Sequence, residues 1–240
     1  MSNTYLQLCN RLIIEAAISG GPMMTVVNQT GEFQRVTTWV QQGWQDLQNE
    51  RTNWEFMRSS QLLGAGVSFQ TVSGQAEYQL GTGAGTVGVA ADSFASWVPR
   101  SFRDQTTTSG VQDQIPLAWI SYDAWRDGYS MGAQQTVTTR PVAIAVGPNN
   151  SICVGPWPTS TYTLTGDYWM APGIMATDSD TPTNLPLQFQ IAIVWRALWY
   201  YGTYEAAPEV VQRADKRYRQ TLRQLGNLRG GMVTAGRTLA

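Results

Sequence analysis

The sequence contains no histidine. The usual general base and the commonest metal ligand are therefore both missing. Charge of either sign is scarce: 14% of residues are charged, against about 25% in an average soluble domain. Gln, Thr, Ser, Asn and Gly stand in its place. The formal net charge is -1, so no global field attracts nucleic acid. Lysine occurs once, at Lys216, and arginine supplies the other positive charges. The two cysteines, Cys9 and Cys153, lie far apart. They form neither a disulfide framework nor a zinc pattern, and they read as buried free thiols in a reducing cytosol. The most apolar stretch, residues 185–201, is interrupted by Pro186, Gln188, Gln190 and Arg196. No stretch is long and apolar enough to span a membrane. The first residues lack the basic and apolar regions of a signal peptide. The expected setting is the cytosol until a partner is met.

Hydrophobic residues make up 42% of the 240, enough for a sizeable core. Tryptophan is plentiful, at 10 residues. Large aromatics each bury about 150–250 Å² and are enriched where proteins meet. Together with the low charge, this leans towards an assembly subunit. A tryptophan-rich monomer core would satisfy the same composition.

The spacing predicts a helix over residues 4–18. Thr4 and Gln7 have capping-box spacing, and Tyr5, Leu8, Cys9, Leu12 and Ala16 form one stripe. Gly20-Gly21-Pro22 should stop it. A second helix is expected over 31–51, with Phe33, Val36, Val40 and Leu47 on one face. From residue 58 the period changes to short apolar runs between Gly, Pro, Asn and Ser, as in an antiparallel β region. One short helix, about 121–128, should interrupt it. Helical periodicity returns after Pro186, a residue suited to a first helical turn. This helix is apolar nearly all round, hence buried on several sides. A last helix runs to about Leu225, with Val211, Ala214, Tyr218, Leu222 and Leu225 stepping by three and four.

The fold class expected is α+β: a four-helix bundle built from both chain ends, with a β-rich insertion and an extended C-terminal arm. The expected divisions are residues 1–57 and 185–225 for the bundle, 58–184 for the insertion and 226–240 for the arm, which has no periodicity to pack.

Chemistry is thinly represented. Gly83-Ala84-Gly85-Thr86-Val87-Gly88 matches a dinucleotide-binding pattern. However, Pro99 follows too soon for the crossover helix such a site needs, so a plain loop is expected. Asp178-Ser179-Asp180 lacks the glycine and glutamate of a calcium loop and reads as turn and cap residues. Asp123 and Asp127 share a face of the short helix, but Arg126 beside them fits an ordinary surface equally well. No cofactor, metal or catalytic residue is expected, and no enzyme. The sharpest electrostatic signal is in the last helix, where Arg213, Lys216, Arg217, Arg219 and Arg223 crowd within three turns against Asp215 alone. Such a run is most often a solvated face. Its functional readings are docking on an acidic protein surface or contact with DNA.

The chain resembles the head-to-tail adaptor (connector) proteins of tailed phages, especially short-tailed ones. The residues that carry the likeness are Arg140-Pro141, Gly155-Pro156-Trp157-Pro158, Tyr162-Thr163-Leu164-Thr165-Gly166-Asp167-Tyr168, Asp180-Thr181-Pro182, Leu185-Pro186, Ile193-Val194-Trp195-Arg196-Ala197 and Tyr204-Glu205-Ala206-Ala207-Pro208-Glu209. Near the other end, Gly31-Glu32, Arg35, Trp39-Val40 and Trp44 fit the same family. The resemblance covers most of the chain and is weakest over 62–114. It implies a structural virion protein at the neck between head and tail, assembled in the host cytoplasm. It implies a homo-oligomeric, twelvefold ring beneath the portal protein that seals the DNA exit channel and offers a platform to the tail nozzle or fibres. Packaged DNA would pass through during genome ejection, without sequence-specific binding. It also implies that a C-terminal helix and arm grip the portal, which by position is residues 209–240. The candidate portal-binding residues are Arg213, Lys216, Arg217, Arg219, Leu222, Arg223, Leu225, Arg229 and Arg237. The competing readings are another tail component, such as a nozzle or tube protein, a carbohydrate-binding module that uses exposed aromatics and, more weakly, a depolymerising enzyme, which would need a carboxylate pair.

Overall fold

A computed structural model of the chain describes residues 2–51, 53–60 and 65–230. Among them are five helices: α1 (Tyr5–Ala16), α2 (Gly31–Asn49), α3 (Tyr122–Tyr129), α4 (Ile191–Tyr204) and α5 (Pro208–Gly230). The chain divides into two units of comparable size. One combines Met1–Met57 with Pro172–Ala240, and the other is Arg58–Ala171.

In the helical unit, α1 opens on a capping box. The Thr4 hydroxyl accepts from the Gln7 amide at 3.2 Å, and the Gln7 side-chain oxygen accepts from the Thr4 amide at 2.9 Å. Two amides that a helix start leaves without partners are thereby satisfied. α4 is the hub. It buries Ala192, Ile193, Val194, Ala197, Leu198 and Gly202 and packs against α1, α2 and α5. Each fully buried Ile, Val or Leu contributes about 1.5–3 kcal/mol of burial free energy. The approach of α2 to α4 is set by Gly43, where an added Cβ would stand 2.8 Å from the Ile193 carbonyl oxygen. The Gln190 side chain, also buried, accepts from the Asn3 amide at 2.8 Å and donates to the Leu185 carbonyl at 3.0 Å. It thereby ties the first residues to the start of α4.

The β unit contains two four-stranded sheets. One is antiparallel, in the order Val67–Gln70, Tyr162–Gly166, Arg103–Thr106, Ile115–Pro116. The other runs Glu77–Tyr78, Ile152–Gly155, Ala143–Val146, Ala118–Trp119, and its last pairing is parallel. Phe69 and Leu164 of the first share one core with Ile144, Ile152 and Val154 of the second. Side chains alternate across a strand, so Ala145 and Cys153 face the opposite side. There α3 covers them with Trp125, whose ring nitrogen donates to the Val154 carbonyl at 2.9 Å. Two smaller sheets of three and two strands complete the unit.

This architecture corrects the expected fold class in two respects. Among the described residues there are five helices and several sheets, with 41% helix and 20% strand, so the fold is not a four-helix bundle carrying a β insertion. The β strands are short, and several pair with partners dozens of residues away, as Leu164 with Phe69 and Asp104. Sequence periodicity indicates a β region over these residues but not the core that its strands close together. The extended arm, expected from Gly226, is also displaced, because α5 continues to Gly230. Gly226 does not stop the helix; its missing Cβ leaves room for the Arg51 guanidinium, which would lie 3.0 Å from that carbon. The remainder of the expected arm, residues 231–240, lies outside the described residues.

Candidate functional site

At 1.5 Å per residue, the 23 residues of α5 extend about 35 Å. The helix has two faces of different chemistry. Ala214, Tyr218, Leu222 and Leu225 are buried, in the pattern of a helix laid on a core. Arg213, Lys216, Arg217, Arg219 and Arg223 are all exposed, together with Gln212, Gln220, Gln224 and Asn227. Arg213 donates to the Glu15 carbonyl at 3.3 Å, and Arg219 pairs with Asp215 at 3.0 Å. The side chains of Lys216, Arg217 and Arg223 have no hydrogen-bond or ion-pair partner among the described residues. Of the nine expected portal-binding residues, then, five cations share the outward side of one helix. Leu222 and Leu225 point into the protein's own core. The Arg229 side chain and Arg237 lie outside the described residues.

The polar cluster beneath this helix was not foreseen. Arg196 of α4 meets Asp46 of α2 at 2.6 Å, and the Tyr200 hydroxyl donates to the same carboxylate oxygen at 2.6 Å. Burial pushes the Asp46 carboxyl up, but hydrogen bonds from Tyr200, Arg196 and Gln42 outweigh it and hold it below its ordinary value. Burial likewise opposes the Arg196 cation, and Asp46 more than compensates. The guanidinium lies 4.8 Å from the Trp199 ring, 5.3 Å from Tyr200 and 5.5 Å from Tyr218, within cation–π reach. Tyr218 belongs to α5, so one arginine links three helices. The available signal was Arg196 itself, a lone charge in an apolar helix that must find a partner to be buried. A second aromatic group sits on the α2–α4 seam. Trp39 packs on Tyr201 and Tyr204 with ring centroids 6.0 and 5.7 Å apart, and Arg35 lies 4.5 Å over the half-exposed Tyr204.

The remaining candidate chemistry resolves into structural roles. The Gly83–Gly88 run lies between β-bridges, Gln79 to Thr86 and Gly81 to Val89. The next helical segment, Ala91–Ser93, is three residues long, too short to present amides to a pyrophosphate. Asp178 accepts from the Thr25 hydroxyl at 3.1 Å and the Val26 amide at 2.5 Å. Asp180 accepts from the amides of Ala176 and Thr177 at 2.6 and 2.8 Å. Asp123 and Asp127 flank Arg126 at 3.5 and 3.3 Å on an exposed face. Burial pushes the Cys153 thiol up to about 11 and raises that of Cys9 as well, which keeps both as unreactive thiols. No group of three or more Cys, Asp or Glu side chains among the described residues could hold a metal ion. No helix among them is long and apolar enough to cross a membrane.

The described residues thus present two core-bearing units and, on α5, an exposed cationic face. The model of the SU10 adaptor protein family matches residues 3–239, and the chain belongs to that family of phage head-to-tail adaptors. A search of curated proteins finds no match.

Proposed function

We propose that this adaptor forms a twelvefold ring beneath the portal, closes the DNA exit channel after packaging, and offers its lower side to the tail nozzle or fibres. The ring is heterologous and closed: one surface of each copy meets a different surface of the next. α5, together with the residues after it, docks on the portal, and the β unit serves the tail. The observation that carries this reading is the outward face of α5. It gathers Arg213, Lys216, Arg217, Arg219 and Arg223 in a chain of net charge -1. Leu222 and Leu225 contribute by holding the helix in its own core. The role is mechanical and needs no cofactor or catalytic group. Negative-stain imaging of portal rings incubated with the full-length chain tests it. An added layer under the portal with matching rotational symmetry is expected; portal rings without one would overturn the proposal.

A further inference from the structure

The chemistry of the partner can be read from the side chains that α5 leaves uncommitted. Its apolar residues are spent internally, since Ala214, Tyr218, Leu222 and Leu225 are all buried. Val210 and Val211 at its start are half-buried, and among the described side chains from Gln212 to Asn227 no apolar one is exposed. What the outward face offers is three free cations, Lys216, Arg217 and Arg223, interleaved with Gln220, Gln224 and Asn227. The helix dipole does not account for them. Its effect is confined to the last turn, whereas Lys216 and Arg217 lie mid-helix and Arg223 is seven residues from Gly230. Arg213 and Arg219 already have partners. We infer that the surface receiving α5 is a carboxylate-bearing protein surface, and that Lys216, Arg217 and Arg223 pair with it. This rests on the portal-docking reading above and adds the chemistry of the surface that the portal presents.

A protein partner fits better than a run of phosphates. The three cations are spread over about 10 Å of helix and alternate with carboxamides that both donate and accept. Such side chains match the mixed polar rim of a protein interface. Phosphate binding favours dense cation arrays on a basic domain, while this chain carries Lys+Arg 16 against Asp+Glu 17.

The single lysine makes the test specific, because a side-chain amine coupling through this chain has one address. Full-length protein bound to portal rings is treated with a carbodiimide, which joins an amine to a carboxylate in direct contact. A peptide linking Lys216 to a portal Asp or Glu is expected. Lys216→Arg should keep binding and lose the link. Raising salt from about 50 to about 500 mM should weaken binding at least about tenfold, because exposed pairs are screened. The triple variant Lys216→Glu, Arg217→Glu, Arg223→Glu should lose at least about tenfold in portal affinity with unchanged helicity. If wild type and triple variant bind portal equally, or if only duplex-DNA retention is lost, the carboxylate assignment is wrong while docking stands. If wild type itself does not bind portal, the docking reading falls and the assignment with it.

Discussion

Arg196 and Asp46 meet at 2.6 Å between α4 and α2, and the same guanidinium lies 5.5 Å from the Tyr218 ring of α5. The orientation of the cationic helix is therefore tied to an ion pair in the helical unit. Asp46→Ala removes the partner of a half-buried cation and should destabilise the chain by about 1–3 kcal/mol, measured by chemical denaturation. The pair also has a pH signature. The folded-state pKa of Asp46 is lowered, so its stabilisation is present above the ordinary carboxylate value of about 4. It is lost as pH falls through the lowered value. The stability gap between wild type and Asp46→Asn should close on acidification and remain open at neutral pH. A gap that widens in acid would contradict the assignment.

The β unit holds a second arginine–carboxylate contact, in which the carboxylate pKa shifts the opposite way. Arg140 contacts the fully buried Asp104 at 2.6 Å through Nε and the more exposed Asp113 at 2.8 Å through Nη1. One oxygen of Asp104 has no partner in the structure. Burial raises the Asp104 pKa against the pull of Arg140. Arg140→Leu would leave that carboxylate buried without its cation, and a loss of about 3–5 kcal/mol is expected. Because a raised folded-state pKa favours the protonated form, the variant should recover stability as pH falls and lose it as pH rises through that pKa. Asp113→Asn should have a much smaller effect than Arg140→Leu. Equal losses in the two variants would show that the clamp does not depend on the buried charge.

Packing gives a third prediction. Gly43→Ala places a methyl 2.8 Å from the Ile193 carbonyl oxygen, so α2 and α4 must separate. Overpacking of this kind typically costs about 1–3 kcal/mol, visible as a lower melting temperature. An unchanged melting temperature would mean that the seam yields without strain.

The two faces of α5 should separate cleanly in mutagenesis. Leu222→Ala and Leu225→Ala each open a cavity at a buried position and should cost about 2–5 kcal/mol. Arg217→Ala, on the exposed face, should stay within about 0.5 kcal/mol. If the leucine variants are as stable as wild type but fail to bind portal, those leucines contact the partner instead of the core.

Local features were legible in the sequence and distant pairings were not. The capping box of Thr4 and Gln7, the apolar hub around Ile193 and Leu198, and the basic run of α5 all rest on residues within a few turns of one another. Asp104 and Arg140 are 36 residues apart, and Asp46 and Arg196 are 150 apart. Periodicity carries no information about such pairs. The end of the last helix, expected at about Leu225, was also set too early. The apolar stripe ends at Leu225, whereas the helix runs on to Gly230. The fold class erred where short strands had to be counted as a unit, while the family resemblance depended on the order of local motifs and held across residues 3–239.

The most direct measurement is sedimentation of the full-length protein with portal rings from the same genome, at low and at high salt. Co-sedimentation at low salt, with a fixed number of copies per portal ring and partial release at high salt, is the result expected of a portal-docking adaptor with a cationic contact. A protein that remains at the top of the gradient under both conditions would contradict portal docking.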